Sequence, residues 1–274
     1  MNRNFLCPFC KSENIKLRSS LDFKGNDYDI LVPDMKEKER KWIDCLNCDV
    51  TFSFPRLSKK QLEYMYENYR SESFRGETPD QYFDRITGYK AEDSENYHKV
   101  EWINSLLGKN FSPNKILDIG CGGGVLLHTF KNFFKDASLF GVEPTSSFAD
   151  LSKRRTGADI VHGYFNKESF NKHRFNLITC CQVLEHVDDL KTFVFDIKNV
   201  LQSKGYLYIE VPDLSDFNSL SISHSRFSEP SHLWYFNFQF LTKNLFDEDF
   251  SLIASTVLKT VRGRNNLMIL LQKN

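Results

Sequence analysis

At 274 residues with 41% hydrophobic side chains, the chain suits one large domain, or a full domain plus a small module, around a buried core. Its 36 Lys and Arg balance 36 Asp and Glu, and zero net charge argues against the broad positive field of a non-specific nucleic-acid binder. The 25 Phe, 11 Tyr and 3 Trp exclude a solvated coil, and no run approaches the roughly 20 apolar residues of a membrane span.

Met1 to Cys7 carries no apolar run of the kind a secretory signal needs, so cytoplasm is expected. There the 7 cysteines stay reduced and serve metal ligation or chemistry. Cys7-Pro8-Phe9-Cys10 and Cys45-Leu46-Asn47-Cys48 are matched C-x-x-C pairs, and four thiolates in two such turns close a structural zinc shell. Unrelated turns with free thiols, or a redox C-x-x-C, are the alternatives; two pairs in so small a segment favour zinc. Between the pairs a strand is expected at Tyr28 to Val32, with an exposed hairpin end from Lys36 to Lys41.

A polar connector follows. Leu62, Met65, Tyr66 and Tyr69 recur at helical spacing, and Pro79 and Gly88 then break the pattern. Tyr97 to Leu107 forms an amphipathic helix ending near Gly108. From Lys115 onwards strands alternate with helices. Strands are expected at Ile116–Ile119, Leu139–Val142, Ile160–Val161, Phe175–Cys181 and Tyr206–Val211. The firmest helix carries Leu190, Phe193, Val194, Ile197, Val200 and Leu201 on one face, with Gly205 in the position a helix C-terminus favours. Asp213 to Pro230 reads as a loop or lid. A helix over Phe238 to Leu245 precedes a closing hairpin, Ala254–Val261 and Leu267–Leu271. The expected fold is α/β: a doubly wound, seven-stranded Rossmann-like sheet with an antiparallel last strand and a small N-terminal zinc ribbon. Its expected parts are 1–58 (ribbon), 59–108 (helical connector or lid) and 109–274 (ligand-binding domain).

The turn Gly120-Cys121-Gly122-Gly123-Gly124, between a strand and a helix, lets a ligand approach bare backbone. Asp118 precedes it. Glu143 closes the second strand, where an acid can accept both hydroxyls of a ribose, so an adenosine-like ligand is expected. The spacing is G-x-G-x-G rather than the dinucleotide G-x-G-x-x-G.

With Ile116 to Gly124, Gly141-Val142-Glu143-Pro144, Phe175 to Ile178 and Val183-Leu184-Glu185-His186-Val187, the chain resembles the class I S-adenosylmethionine-dependent methyltransferases. The paired cysteines, Thr51-Phe52-Ser53-Phe54-Pro55-Arg56 and Glu229 to Phe236 look like a bacterial subgroup with a zinc ribbon, often associated with sugars and surface polysaccharides. The resemblance implies that Gly120, Cys121, Gly122 and Gly124 hold the methionine part of the cofactor. It implies further that Glu143, beside Pro144, holds the ribose, that Tyr164 and Phe165 flank the adenine, and that Gln182 touches the methionine end. Asp118 would orient the turn or the cofactor ammonium. His186 and His232 are the candidate bases, histidine titrating in the useful range; each has a structural alternative, in capping a helix or in holding a lid.

The expected function is methyl transfer to a small molecule, a nucleotide-linked sugar or a surface-polysaccharide unit. An RNA methyltransferase and a non-catalytic zinc-ribbon interaction protein are the alternatives.

Overall fold

The paired cysteine turns flank the first two strands of the smaller of two sheets. The computed structural model describes residues 6–22, 39–68, 76–108, 110–221, 224–260 and 262–274; the strand expected at Tyr28–Val32 and Tyr69 lie outside them. Strands β1 (Ile15–Asp22), β2 (Glu39–Cys45) and β3 (Thr51–Phe54) form an antiparallel meander. Its fourth strand, β9 (Trp234–Tyr235), arrives from the far end of the chain and pairs with β3.

Helix α1 (Lys59–Asn68) buries Leu62 and Met65. Helix α2 (Pro79–Thr87) corrects one expectation: Pro79 opens a helix instead of breaking one. Proline's fixed φ suits the first turn, and a capping box between Thr78 and Gln81 satisfies the first amides. Helix α3 (Glu95–Leu107) ends at Gly108 as expected.

The large sheet has the order β10-β11-β8-β7-β4-β5-β6. Strands β4 (Lys115–Ile119), β5 (Ser138–Glu143), β6 (Asp159–His162), β7 (Phe175–Cys181) and β8 (Leu201–Pro212) run parallel. The hairpin β10 (Phe250–Lys259) and β11 (Asn265–Lys273) joins with β11 antiparallel to β8. Helices α4 (Val125–Phe133), α5 (Ser146–Thr156) and α6 (Leu190–Val200) make the crossovers. Asp189 starts α6 by accepting from the amides of Lys191 and Thr192.

Gly205 is not the cap of α6. The helix gives way to β8 at Leu201, and Gly205 sits inside that strand, beside an irregularity in its pairing with β7. A Cβ there would lie 2.9 Å from the carbonyl of Gln202, so close approach explains the glycine. Within Asp213 to Pro230, Asp216, Arg226 and Phe227 are buried on two short helical turns, Asp216–Ser219 and Ser225–Ser228.

Strand residues alternate between two covered faces, which is why these strands read as unbroken apolar runs. One face packs Ile116, Leu177, Tyr208 and Met268 against Val100, Ile103, Leu127 and Phe130. The other packs Leu117, Ile178, Ile209 and Ile269 into a core that continues without interruption into Cys45, Val50 and Phe52 of the small sheet. No described helix is long and apolar enough to cross a membrane.

Candidate active site

The strand order reverses between β7 and β4, and in such sheets the crevice beyond the carboxyl ends of the strands takes the ligand. A cavity of about 1130 Å³ opens there. Gly120, Gly122, Glu143, Pro144, Tyr164, Phe165, Gln182, His186 and His232 all line it. Gly120 and Gly122 have φ of +70° and +53°, the left-handed region that favours glycine. A side chain on Gly120 would collide with Val183, whereas one on Gly122 would project into open space, so the backbone is bare on the cavity side.

The Glu143 carboxylate is fixed by two backbone amides. Gly122 N–H donates to Oε2 at 2.9 Å and Thr145 N–H to Oε1 at 3.0 Å. Each oxygen retains a lone pair for a hydroxyl donor. Gln182, across the crevice, holds φ +54° while its amide donates to the Glu210 carbonyl at 2.8 Å. Asp118, Cys121 and Gly124 lie behind this wall. Asp118 accepts from the Thr179 hydroxyl at 2.7 Å, and burial pushes its carboxyl up to about 7 against the opposing Thr179 bond and Lys99 charge. The Cys121 thiol is buried against Gly141 and Ser152. Gly124 is the left-handed N-cap of α4.

Beyond the turn lies an acid–base cluster. Ligand atoms of Glu185, His186 and His232 fall within 4.8 Å of one another, close enough to share a proton or a cation. His186 Nδ1 is 3.0 Å from the Ser231 carbonyl, which can only accept. The proton therefore sits on Nδ1, and Nε2 presents its lone pair 3.8 Å from Glu185 Oε1. Glu185 is fully buried, and burial raises its carboxyl to about 8. Neither of its oxygens has a hydrogen-bond partner, and the buried Nδ1 of His232 has none either. His232 is held well below its ordinary value by burial first, then by His186, Arg40, Arg226 and Arg264.

Four side chains here carried no mark in the sequence reading. Lys99 Nζ and Glu210 Oε2 form a buried ion pair at 3.0 Å. Glu210 also accepts from Asn266 Nδ2 at 2.7 Å and the Tyr208 hydroxyl at 3.0 Å. Burial works against the Lys99 charge, but Glu210 outweighs it and the net shift is upward. A signal existed: Lys99 stands four residues before Ile103 on the apolar face of α3, and Glu210 interrupts an apolar strand.

The four cysteines converge as expected. Cys7 and Cys48 Sγ are 3.8 Å apart, Cys10 and Cys45 3.5 Å, and all four lie within 4.8 Å of one another. A tetrahedral zinc with bonds of about 2.3 Å requires sulfur edges near 3.8 Å. The two turns match: Cys7 N–H donates to Ser12 at 3.0 Å and Cys45 N–H to Val50 at 2.9 Å, and Lys11 and Asp49 both have φ near +60°. The thiols and their geometry fit zinc.

The small sheet also supports the crevice. Arg40 donates to the His232 carbonyl and Trp42 to that of Phe227 at 3.1 Å. The Ser53 amide donates to Leu233 at 3.0 Å, while Leu233 N–H donates to the Glu185 carbonyl at 2.7 Å.

The sheet, its switch-point crevice and the amide-held acid after the second parallel strand define a class I S-adenosylmethionine-dependent methyltransferase. Residues 91–255, more than half of the chain, match the methyltransferase-domain family, and the chain belongs to it. It is 32% identical over 105 residues to the mitochondrial ubiquinone biosynthesis O-methyltransferase of Schizosaccharomyces pombe, covering 36% of this chain and 38% of that one. It is 27% identical over 136 residues to the ubiquinone biosynthesis O-methyltransferase of Pseudomonas entomophila, covering 46% and 56%. The chain thus spans about half the length, or less, of these curated relatives. The fold is shared with magnesium protoporphyrin IX methyltransferase from Synechocystis PCC 6803, solved with bound S-adenosylhomocysteine: TM-score 0.56, 11% identity, 79% of this chain and all of that one.

Proposed function

We propose that the chain transfers a methyl group from S-adenosylmethionine to a small-molecule acceptor, with His186 as the proton acceptor and a structural zinc in the ribbon. The observation that carries it is the Glu143 carboxylate, clamped by the Gly122 and Thr145 amides beside a bare glycine turn, in a cavity that continues to His186. When bound, the cofactor supplies an electrophilic methyl on a cationic sulfonium. Glu143 takes the ribose hydroxyls, Pro144, Tyr164 and Phe165 border the adenine, and Gln182 faces the methionine end. Asp118 supports the turn from behind.

The cavity walls exclude water and orient the acceptor, which is where much of the rate of an in-line displacement arises. His186 Nε2 receives the acceptor proton, and the buried Glu185 carboxyl lies 3.8 Å behind it. His232, held neutral by burial, serves to shape the wall. Seven free thiols favour a reducing compartment. The relatives are named for ubiquinone biosynthesis, so a sugar acceptor gains no support from them; small molecule is the class proposed.

Isothermal titration of the zinc-loaded protein with S-adenosylhomocysteine tests this. Wild type binds, and Glu143→Ala weakens binding about 10- to 100-fold, the loss expected for hydrogen bonds to a charged group. Absence of binding by folded wild type removes the enzyme assignment.

A further inference from the structure

On the methyl-transfer proposal above, we infer that the acceptor bears an oxyanion, a carboxylate or a phosphate ester, which docks on Arg226, Arg262 and Arg264 at the β11 side of the cavity. The sheet order places the β10–β11 turn three strands from the glycine turn: β8 and β7 separate β11 from β4. All three line the same cavity as His186 and Glu143, together with Lys259 and Asn266.

The three arginines come from two segments that meet only in the fold. Arg226 stands on the short turn Ser225–Ser228, and its side chain is 4% exposed, although the cavity reaches it. Arg262 and Arg264 occupy the turn between β10 and β11, closed by Gly263 N–H to the Thr260 carbonyl at 2.9 Å and Thr260 N–H to that of Arg264 at 2.8 Å. Arg226 Nη2 donates to Asn266 Oδ1 at 2.7 Å, so the guanidinium is fixed in place.

Arg226, Arg262, Arg264 and Lys259 all line this end of the cavity. Asp216 pairs through Oδ2 with Arg226 Nη1 at 2.9 Å, and its Oδ1 accepts the Asn265 amide at 2.8 Å. Asp213 accepts the Ser215 amide at 2.9 Å. Glu210, the other acid near Asn266, is engaged by Lys99. Glu92, Asp93 and Glu95 line the cavity from the connector, and Asp188 and Asp189 from the turn before α6. The arginines act on one another: burial, then Arg226 and Arg262, push the Arg264 guanidinium down. Like charges held together in a partly desolvated wall are stabilised by an anion, and paired guanidiniums suit the planar oxygens of a carboxylate or the fork of a phosphate. An oxyanion anchored there leaves the rest of the acceptor extending toward His186 and Glu185, which face the cofactor end.

The test is a thermal-shift titration of zinc-loaded protein with sodium benzoate and with inorganic phosphate, against sodium chloride at equal ionic strength, with and without saturating S-adenosylhomocysteine. At least one anion should raise Tm saturably in wild type, and the active one tells carboxylate from phosphate. Arg264→Gln should need about ten times more of it, the equivalent of one charge-assisted pair, with S-adenosylhomocysteine affinity unchanged. Arg262→Gln, at an exposed turn, supplies the same comparison if Arg264→Gln does not fold. The inference is overturned if neither anion acts beyond chloride, or if both variants respond as wild type. Failure of S-adenosylhomocysteine to bind while the anion response persists would instead remove the methyl-transfer proposal.

Discussion

The two ends of the cavity are built differently. The end proposed for the cofactor is backbone: two glycines at positive φ, two amides holding Glu143, and the ends of β4, β5 and β7. The end proposed for the acceptor is side chain, with His186, His232, Arg226 and Arg264 drawn from separate segments and the His232 and Phe227 carbonyls held by Arg40 and Trp42 of the small sheet. A backbone cradle suits a ligand that stays the same, because its geometry tolerates change in most side chains around it. A wall assembled from distant side chains is free to change with the acceptor.

Zinc removal should break this contrast most severely. Chelation, or Cys45→Ser, should loosen the cysteine turns and the strands that they join, since metal binding there is coupled to folding. The brace on the His232 and Leu233 carbonyls goes with them. Methyl transfer should fall to background while S-adenosylhomocysteine titration stays within a few-fold of wild type; equal loss of both would show that the ends are not separable.

Next in size is the ion pair under the floor between the two ends. Glu210→Gln leaves Lys99 charged, buried and unpaired, and should cost about 3–5 kcal/mol in urea unfolding. Adding Lys99→Met should recover much of that, a coupling that a double-mutant cycle measures directly.

The smallest expected effect concerns pH. Burial raises the Glu185 carboxyl from 4.5 to about 8, so its folded form favours the proton. The stability it contributes is complete below the ordinary carboxylate range and is lost as pH rises through about 8. Glu185→Gln cannot ionise. Its Tm should match wild type near pH 4.5 and exceed it above pH 8, by roughly 2–4 °C for each kcal/mol of burial penalty. A gap that stays constant with pH would show that Glu185 does not titrate in the fold.

Legibility in the sequence follows the same division. The glycine turn, Glu143 and the parallel strands depend on near neighbours, so spacing alone displayed them. The cysteine pairs were equally plain, because metal ligation imposes its own spacing. The arginines were not: Arg226 lay in a serine-rich stretch with no periodicity, and Arg264 looked like hairpin punctuation. Pro79 and Gly205 were misread because each residue type has two structural uses. Proline ends helices and also opens them, and glycine caps helices and also admits a close backbone, so the choice rested on neighbours that only the fold supplies.

The last strand of the small sheet is two residues long, Trp234–Tyr235, and its Leu233 neighbour bonds a partner 180 positions away, at Ser53. During synthesis the N-terminal meander therefore emerges with one edge open and waits until most of the chain has been made. Open strand edges recruit other chains, and contacts that distant form late. A nascent chain halted before Trp234 would present that edge to its surroundings, so newly made protein is most exposed to self-association before translation ends.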